Sequence, residues 1–127
     1  MPIVAIHAFA PADADAVKRL IVDVRDAGAA ALGCERSNVW VMFLPVAPGA
    51  YLQGEGQPAD VHGPGSHPPV IIARAQFGRS DVERERFVKA IAAAVARGLS
   101  VSADDVWIHY DQMRPQDVWF GGRWASS

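Results

Sequence analysis

The sequence predicts an α/β (α+β) chain in which two tandem β-α-β units form a four-stranded sheet with both helices on one face. Three observations carry that expectation. NVWVMF (38–43) is echoed by DVWIHY (105–110), and their tryptophans, Trp40 and Trp107, set a repeat offset of 67. The same offset lays PIVAIHAF at the start over PVIIARAQ, pairing Pro2 with Pro69. Each half also carries one apolar stripe at helical spacing between two β-rich segments.

The elements follow in order. Residues 3–9 and 70–77 are apolar-rich and open the two halves as strands. In the first helical stretch Val17, Leu20, Ile21, Val24, Ala27, Ala31 and Leu32 recur three and four apart, so one face is buried. Asp13 stands where an N-cap belongs. In the second stretch Ser80 and Glu83 have capping-box spacing, and Phe87, Ile91, Val95 and Leu99 continue the stripe. The second strands, 39–44 and 106–110, are β-branched and aromatic. The repeats thus cover 2–44 and 69–110, with a Pro/Gly-rich connection over 45–68 and a C-terminal hairpin over 111–127, all in one domain. The connection is long for structureless chain. It is either a flexible linker or an arch over a neighbouring subunit or a site, with Tyr51 and Leu52 as apolar anchors.

Parallel pairing within each unit demands a right-handed crossover, which puts both helices on one side. The other face then carries Ile3, Ala5, His7 and Phe9 beside Val70, Ile72, Arg74 and Gln76. That face is too apolar for free solvent, so subunit association is expected, with Arg74 in a structural ion pair. Composition narrows the partners. A net charge of −2 with no basic run argues against nucleic acid and against a polybasic membrane patch. No apolar stretch approaches the roughly 20 residues that span a bilayer. The single cysteine, Cys34, excludes an internal disulfide and fits a reducing compartment, so a cytoplasmic location is expected. His62 and His67 have no further ligand types at metal spacing, so no metal is expected.

Three motifs then resemble the tautomerase superfamily, whose parent is 4-oxalocrotonate tautomerase. PIVAIHAF looks like its opening segment, FGRSD (77–81) its strand-to-helix turn with a substrate arginine, and VWFGGRWAS (118–126) its glycine-centred C-terminal hairpin. The two-unit length resembles the fused members, including the 3-chloroacrylic acid dehalogenases and malonate semialdehyde decarboxylase, which implies a homotrimer. The resemblance implies that Met1 is removed and that the Pro2 amine is the general base. Apolar walls and a nearby cation would lower that amine towards neutrality. Arg79 would hold a carboxylate or the enolate oxygen. Its first-half counterpart is Ala12, and Pro69 is internal, so one site per chain is implied. By the same carry-over the pocket walls would be Gln76, Trp107, His109, Val118 and Phe120, with Arg123 as a second carboxylate contact.

The expected activity is a cofactor-independent tautomerase (isomerase) acting on a small enolisable 2-oxo or unsaturated carboxylic acid. Two other readings stay open. One is a hydratase or dehalogenase of a 3-haloacrylate-type acid. It is weakened because the cis-dehalogenase's water-activating glutamate falls at Phe120, its histidine at Gly28, its other arginine at Gln76 and its tyrosine at His109. The decarboxylase's aspartate likewise falls at Asn38 and one of its arginines at Phe77. The other reading is a trimeric ligand-binding protein of this fold without catalysis. If Met1 stays, the Pro2 nitrogen is an amide and no base exists.

Overall fold

The computed structural model describes residues Met1–Ser127. Strand β1 (Ile3–Phe9) leads into helix α1 (Ala14–Leu32) and strand β2 (Trp40–Val46). The second half repeats this as β3 (Val70–Gln76), α2 (Asp81–Leu99) and β4 (Trp107–Met113), followed by the small hairpin β5 (Trp119–Phe120) and β6 (Arg123–Trp124). The sheet order is β2-β1-β3-β4. Within each half the strands are parallel, while β1 and β3 meet antiparallel at the centre, with Ile3 opposite Arg74. The expected four-stranded sheet with two helices is therefore present. The second strands run further than their β-branched stretches suggested, because ladder pairing carries Pro45–Val46 and Asp111–Met113 along with them.

Strand alternation sorts the two faces. Val4, Ile6 and Ala8 from β1 and Ile71 and Ala73 from β3 point to the helices and are fully buried. They pack on Leu20 and Val24 from α1 and on Phe87, Ile91, Ala94 and Val95 from α2. Both helix starts use the caps expected of them. Asp13 Oδ1 accepts the Asp15 N–H at 2.9 Å. Ser80 Oγ accepts the Glu83 N–H at 3.2 Å while Glu83 Oε1 accepts the Ser80 N–H at 3.2 Å. The opposite sheet face leaves Trp40, Met42, Leu44 and Trp107 exposed. On it Arg74 Nε reaches Asp111 Oδ2 at 3.9 Å.

The helices approach closely at Gly98, where a Cβ would collide with Leu20 Cδ1 and sit 3.2 Å from its Cβ and Cγ. Leu20 is fully buried and has no room to yield. Gly98→Ala is therefore expected to destabilise the fold by about 1–3 kcal/mol through overpacking, despite alanine's better helix propensity. Chemical denaturation of the two proteins checks it.

The duplication continues past the strands. The turn bond from Ala50 N–H to Ala47 O, 2.9 Å, recurs 67 residues on from Asp117 N–H to Arg114 O, 2.9 Å. The hairpin bond from Ala125 N–H to Val118 O, 2.8 Å, has a counterpart shifted by one residue in Ala59 N–H to Tyr51 O, 2.9 Å. Gly54 and Gly121 occupy matching turn positions with φ of 58° and 66°, a region glycine enters without steric cost. The connection thus begins as a second copy of the C-terminal hairpin and folds onto its own sheet end. No helix is long and apolar enough to cross a membrane.

Candidate active site

Strand direction decides which residues meet. Because β2 runs parallel to β1, the Trp40 N–H donates to Pro2 O at 2.9 Å, and both stand at one end of the sheet. Because β3 runs antiparallel to β1, its last residue, Gln76, arrives at the same end, paired with Met113 of β4. The β5–β6 hairpin closes over this end, with Phe120 edge-on to Trp40 at 5.6 Å between ring centroids. A cavity of about 650 Å³ results, walled mainly by apolar groups. Met1, Trp40, Gln76, Val118, Phe120 and Arg123 line it, and the lining contains one charged side chain, Arg123, and no carboxylate.

Pro2 itself is fully buried behind Met1. Arg79 is placed by the turn at Gly78, whose φ of 101° suits glycine. Its side chain, 20% exposed, gives Glu83 Oε2 a hydrogen bond at 3.2 Å. Glu83 thus serves two tasks, since its other oxygen completes the capping box. Arg79 is not among the lining residues, and its Nε is buried without a partner. Its charge nevertheless acts at the chain start. The Met1 amine is held below its ordinary value by burial first and the Arg79 guanidinium second, with Cys34 opposing them. Glu83 is held below the usual carboxylate range, first by the Ser80 N–H and further by Arg79.

Four of the expected wall residues, Gln76, Val118, Phe120 and Arg123, come together here. Trp107 and His109 do not join them within the chain. They belong to the first residues of β4, where the Trp107 N–H donates to Pro69 O at 3.0 Å and His109 pairs with Ile72. That is the opposite end of the sheet. Trp40 occupies at Pro2 the place that Trp107 holds at Pro69. Tyr110, on the helix side of β4, carries no sequence signal that marks it. Burial pushes its hydroxyl pKa up, against the pull of Arg79 and Arg84, and the hydroxyl has no partner. No periodic signal marks it, because a tyrosine on a buried strand face reads as core. No three His, Cys, Asp or Glu side chains gather to hold a metal ion.

No protein-family model matches the chain, and no curated protein matches it in sequence. Solved structures do match in shape. The asymmetric wild-type trimer of the fused 4-OT called F6 superposes with a TM-score of 0.85 at 18% identity, covering 98% of this chain and 96% of that one. Pt0534 inactivated by 2-oxo-3-pentynoate gives 0.84 at 18% identity, with the same coverage of 98% and 96%. N1, a member of the cis-3-chloroacrylic acid dehalogenase family, gives 0.74 at 16% identity, covering 96% of this chain and 82% of that one. The chain therefore has the tautomerase fold, in the two-unit form seen in the fused 4-OT structures.

Proposed function

We propose that the protein is a cofactor-independent tautomerase in which the Pro2 amine, freed by loss of Met1, moves a proton within a small enolisable 2-oxo or unsaturated carboxylic acid. One observation carries the reading. The chain start opens on an apolar cavity and carries, on Met1, an amine that burial and Arg79 both hold low. Once Met1 leaves, the same burial and the same guanidinium act on the secondary amine of Pro2. A base that is neutral near physiological pH takes a proton efficiently and returns it readily. The neutral amine accepts the proton of an enol O–H, or of a carbon beside a carbonyl. It then delivers that proton to the other end of the conjugated system. Each cycle leaves the amine as it began and needs no co-reactant.

The remaining groups bind and orient. A substrate carboxylate seeks a guanidinium, and Arg123 is the one charged wall residue. Arg79 lies outside the cavity wall, and its part is to hold the nearby amine in its neutral form. The Gln76 amide supplies a neutral donor beside them. Arg123→Ala is expected to raise KM about tenfold while kcat changes little, the mark of binding lost equally from ground and transition states. Steady-state kinetics check it. Water-adding chemistry is the weaker reading, because no carboxylate lines the cavity to activate water. A homotrimer belongs to the proposal. The exposed Trp40, Met42, Leu44 and Trp107 need cover, and similar structures are named as trimers.

The deciding experiment joins intact-mass measurement with an assay of enolic 2-oxo acids. A mature chain starting at Pro2 and speeding ketonisation supports the reading. Retained Met1 in the native host, or no turnover of any enol, leaves the non-catalytic trimer. Chloride release from 3-chloroacrylates would favour the dehalogenase instead.

A further inference from the structure

The far end of the sheet repeats the geometry of the first and is shut. Pro69 and Trp107 stand there as Pro2 and Trp40 stand at the open end. Three residues lining the open cavity, Gln76, Val118 and Phe120, have Phe9, Tyr51 and Gln53 as repeat mates at the offset of 67. All three mates grip one short segment. The Phe9 N–H donates to His62 Nε2 at 3.0 Å, and the two rings lie 4.8 Å apart. The Tyr51 hydroxyl donates to Pro68 O at 2.8 Å, with its ring edge-on to His67 at 5.1 Å. Gln53 Oε1 accepts the His67 N–H at 2.6 Å. Asp105, just before β4, accepts the Gly65 N–H at 3.0 Å.

We infer that this second mouth is a binding site whose occupant is the chain's own strap, residues 61–68, and that His62 is an acid-sensitive clasp holding it closed. The chemistry of the clasp follows from its partners. A backbone N–H can only donate, so His62 Nε2 presents its lone pair to Phe9. The proton then resides on Nδ1, which lies 2.6 Å from His67 O. Closure therefore requires neutral His62 in this one tautomer. A second proton would sit on Nε2, facing the Phe9 N–H, and the bond would be lost.

The titratable neighbours are His67 and Asp105 around the strap, Tyr51 on the connection, Asp60 beside Gly49, and His7 on β1 with its Nδ1 at Val70 O. No carboxylate bonds to the His62 ring, because Phe9 and His67 already take both nitrogens. The closed strap is also not a relaxed shape. His67 holds a left-handed φ of 48°, a region that disfavours a non-glycine residue. Its Nε2 is buried without a partner. Contacts hold the strap shut, and the clasp is the contact that acid removes.

Amide hydrogen exchange at Phe9 tests this, corrected for the intrinsic pH dependence and referenced to the Val4 and Ile6 amides of the same strand. Protection at Phe9 is expected to fall by at least about tenfold between about pH 7.5 and about pH 5 while the reference amides hold. His62→Gln, whose side-chain oxygen still accepts, should keep Phe9 protected at both pH values. His62→Ala should leave it unprotected at both. Equal protection of the wild type at both pH values overturns the proposal, as does full protection in His62→Ala. If His62→Ala does not fold, the glutamine variant decides: an acid response matching the wild type places the sensitive group elsewhere.

Discussion

Pro2→Ala should lower the tautomerase rate by about 10²–10⁴-fold, the range general bases supply. The loss should fall on kcat, because the substrate's carboxylate contacts remain. Alanine at this position still exposes an amine once Met1 is removed, so some rate survives. What goes is the secondary amine and the fully buried ring that aims it. Intact mass of wild type and variant must show both chains starting at residue 2. Paired kinetics on one enolic 2-oxo acid then read the difference. A variant as fast as the wild type would mean that another group moves the proton.

Arg79→Ala is expected to act through the amine. It should lower kcat/KM on the acid side by about tenfold for each unit that the amine's pKa rises. It should thus move the pH profile. A cation near an amine disfavours the ammonium form and lowers its pKa, so the free base persists to lower pH. In the proposed mechanism the active form is the free base, and kcat/KM therefore rises with pH through that pKa. Removing Arg79 lifts the pKa, and the ascending limb shifts to higher pH. The return towards an ordinary α-amine is only partial, because burial is the larger cause and remains. Arg79→Lys keeps the charge, so it should hold the limb in place. A limb unmoved in Arg79→Ala would separate this arginine from the amine.

Most of the fold is legible in the sequence because its signals are local and written twice. The helical stripes through Leu20 and Phe87, the Asp13 cap and the Ser80–Glu83 box each need only a few neighbouring residues. The connection is less legible. Its order comes from contacts distant along the chain, such as Phe9 with His62 and Tyr51 with Pro68, and no periodicity announces them. The cavity falls between these cases. Gln76, Val118, Phe120 and Arg123, which line it, each lie within a few residues of a recognisable motif. Trp107 and His109 were expected beside them, but correspondence of position does not say which sheet end a strand begins at. Antiparallel pairing of β1 with β3 sends the starts of the two halves apart, and parallel pairing of β1 with β2 brings Trp40 to Pro2.

The one open and one shut sheet end bear on heredity. In an assembly of identical single units, a substitution appears at every equivalent position at once. Joining two units in one chain removes that constraint. Position 12 carries alanine where position 79 carries arginine, and phenylalanine stands at 9 where glutamine stands at 76. Each half can therefore differ from its twin, one end holding an accessible pocket and the other a piece of its own chain. Symmetry survives in the backbone, while the side chains have divided the labour.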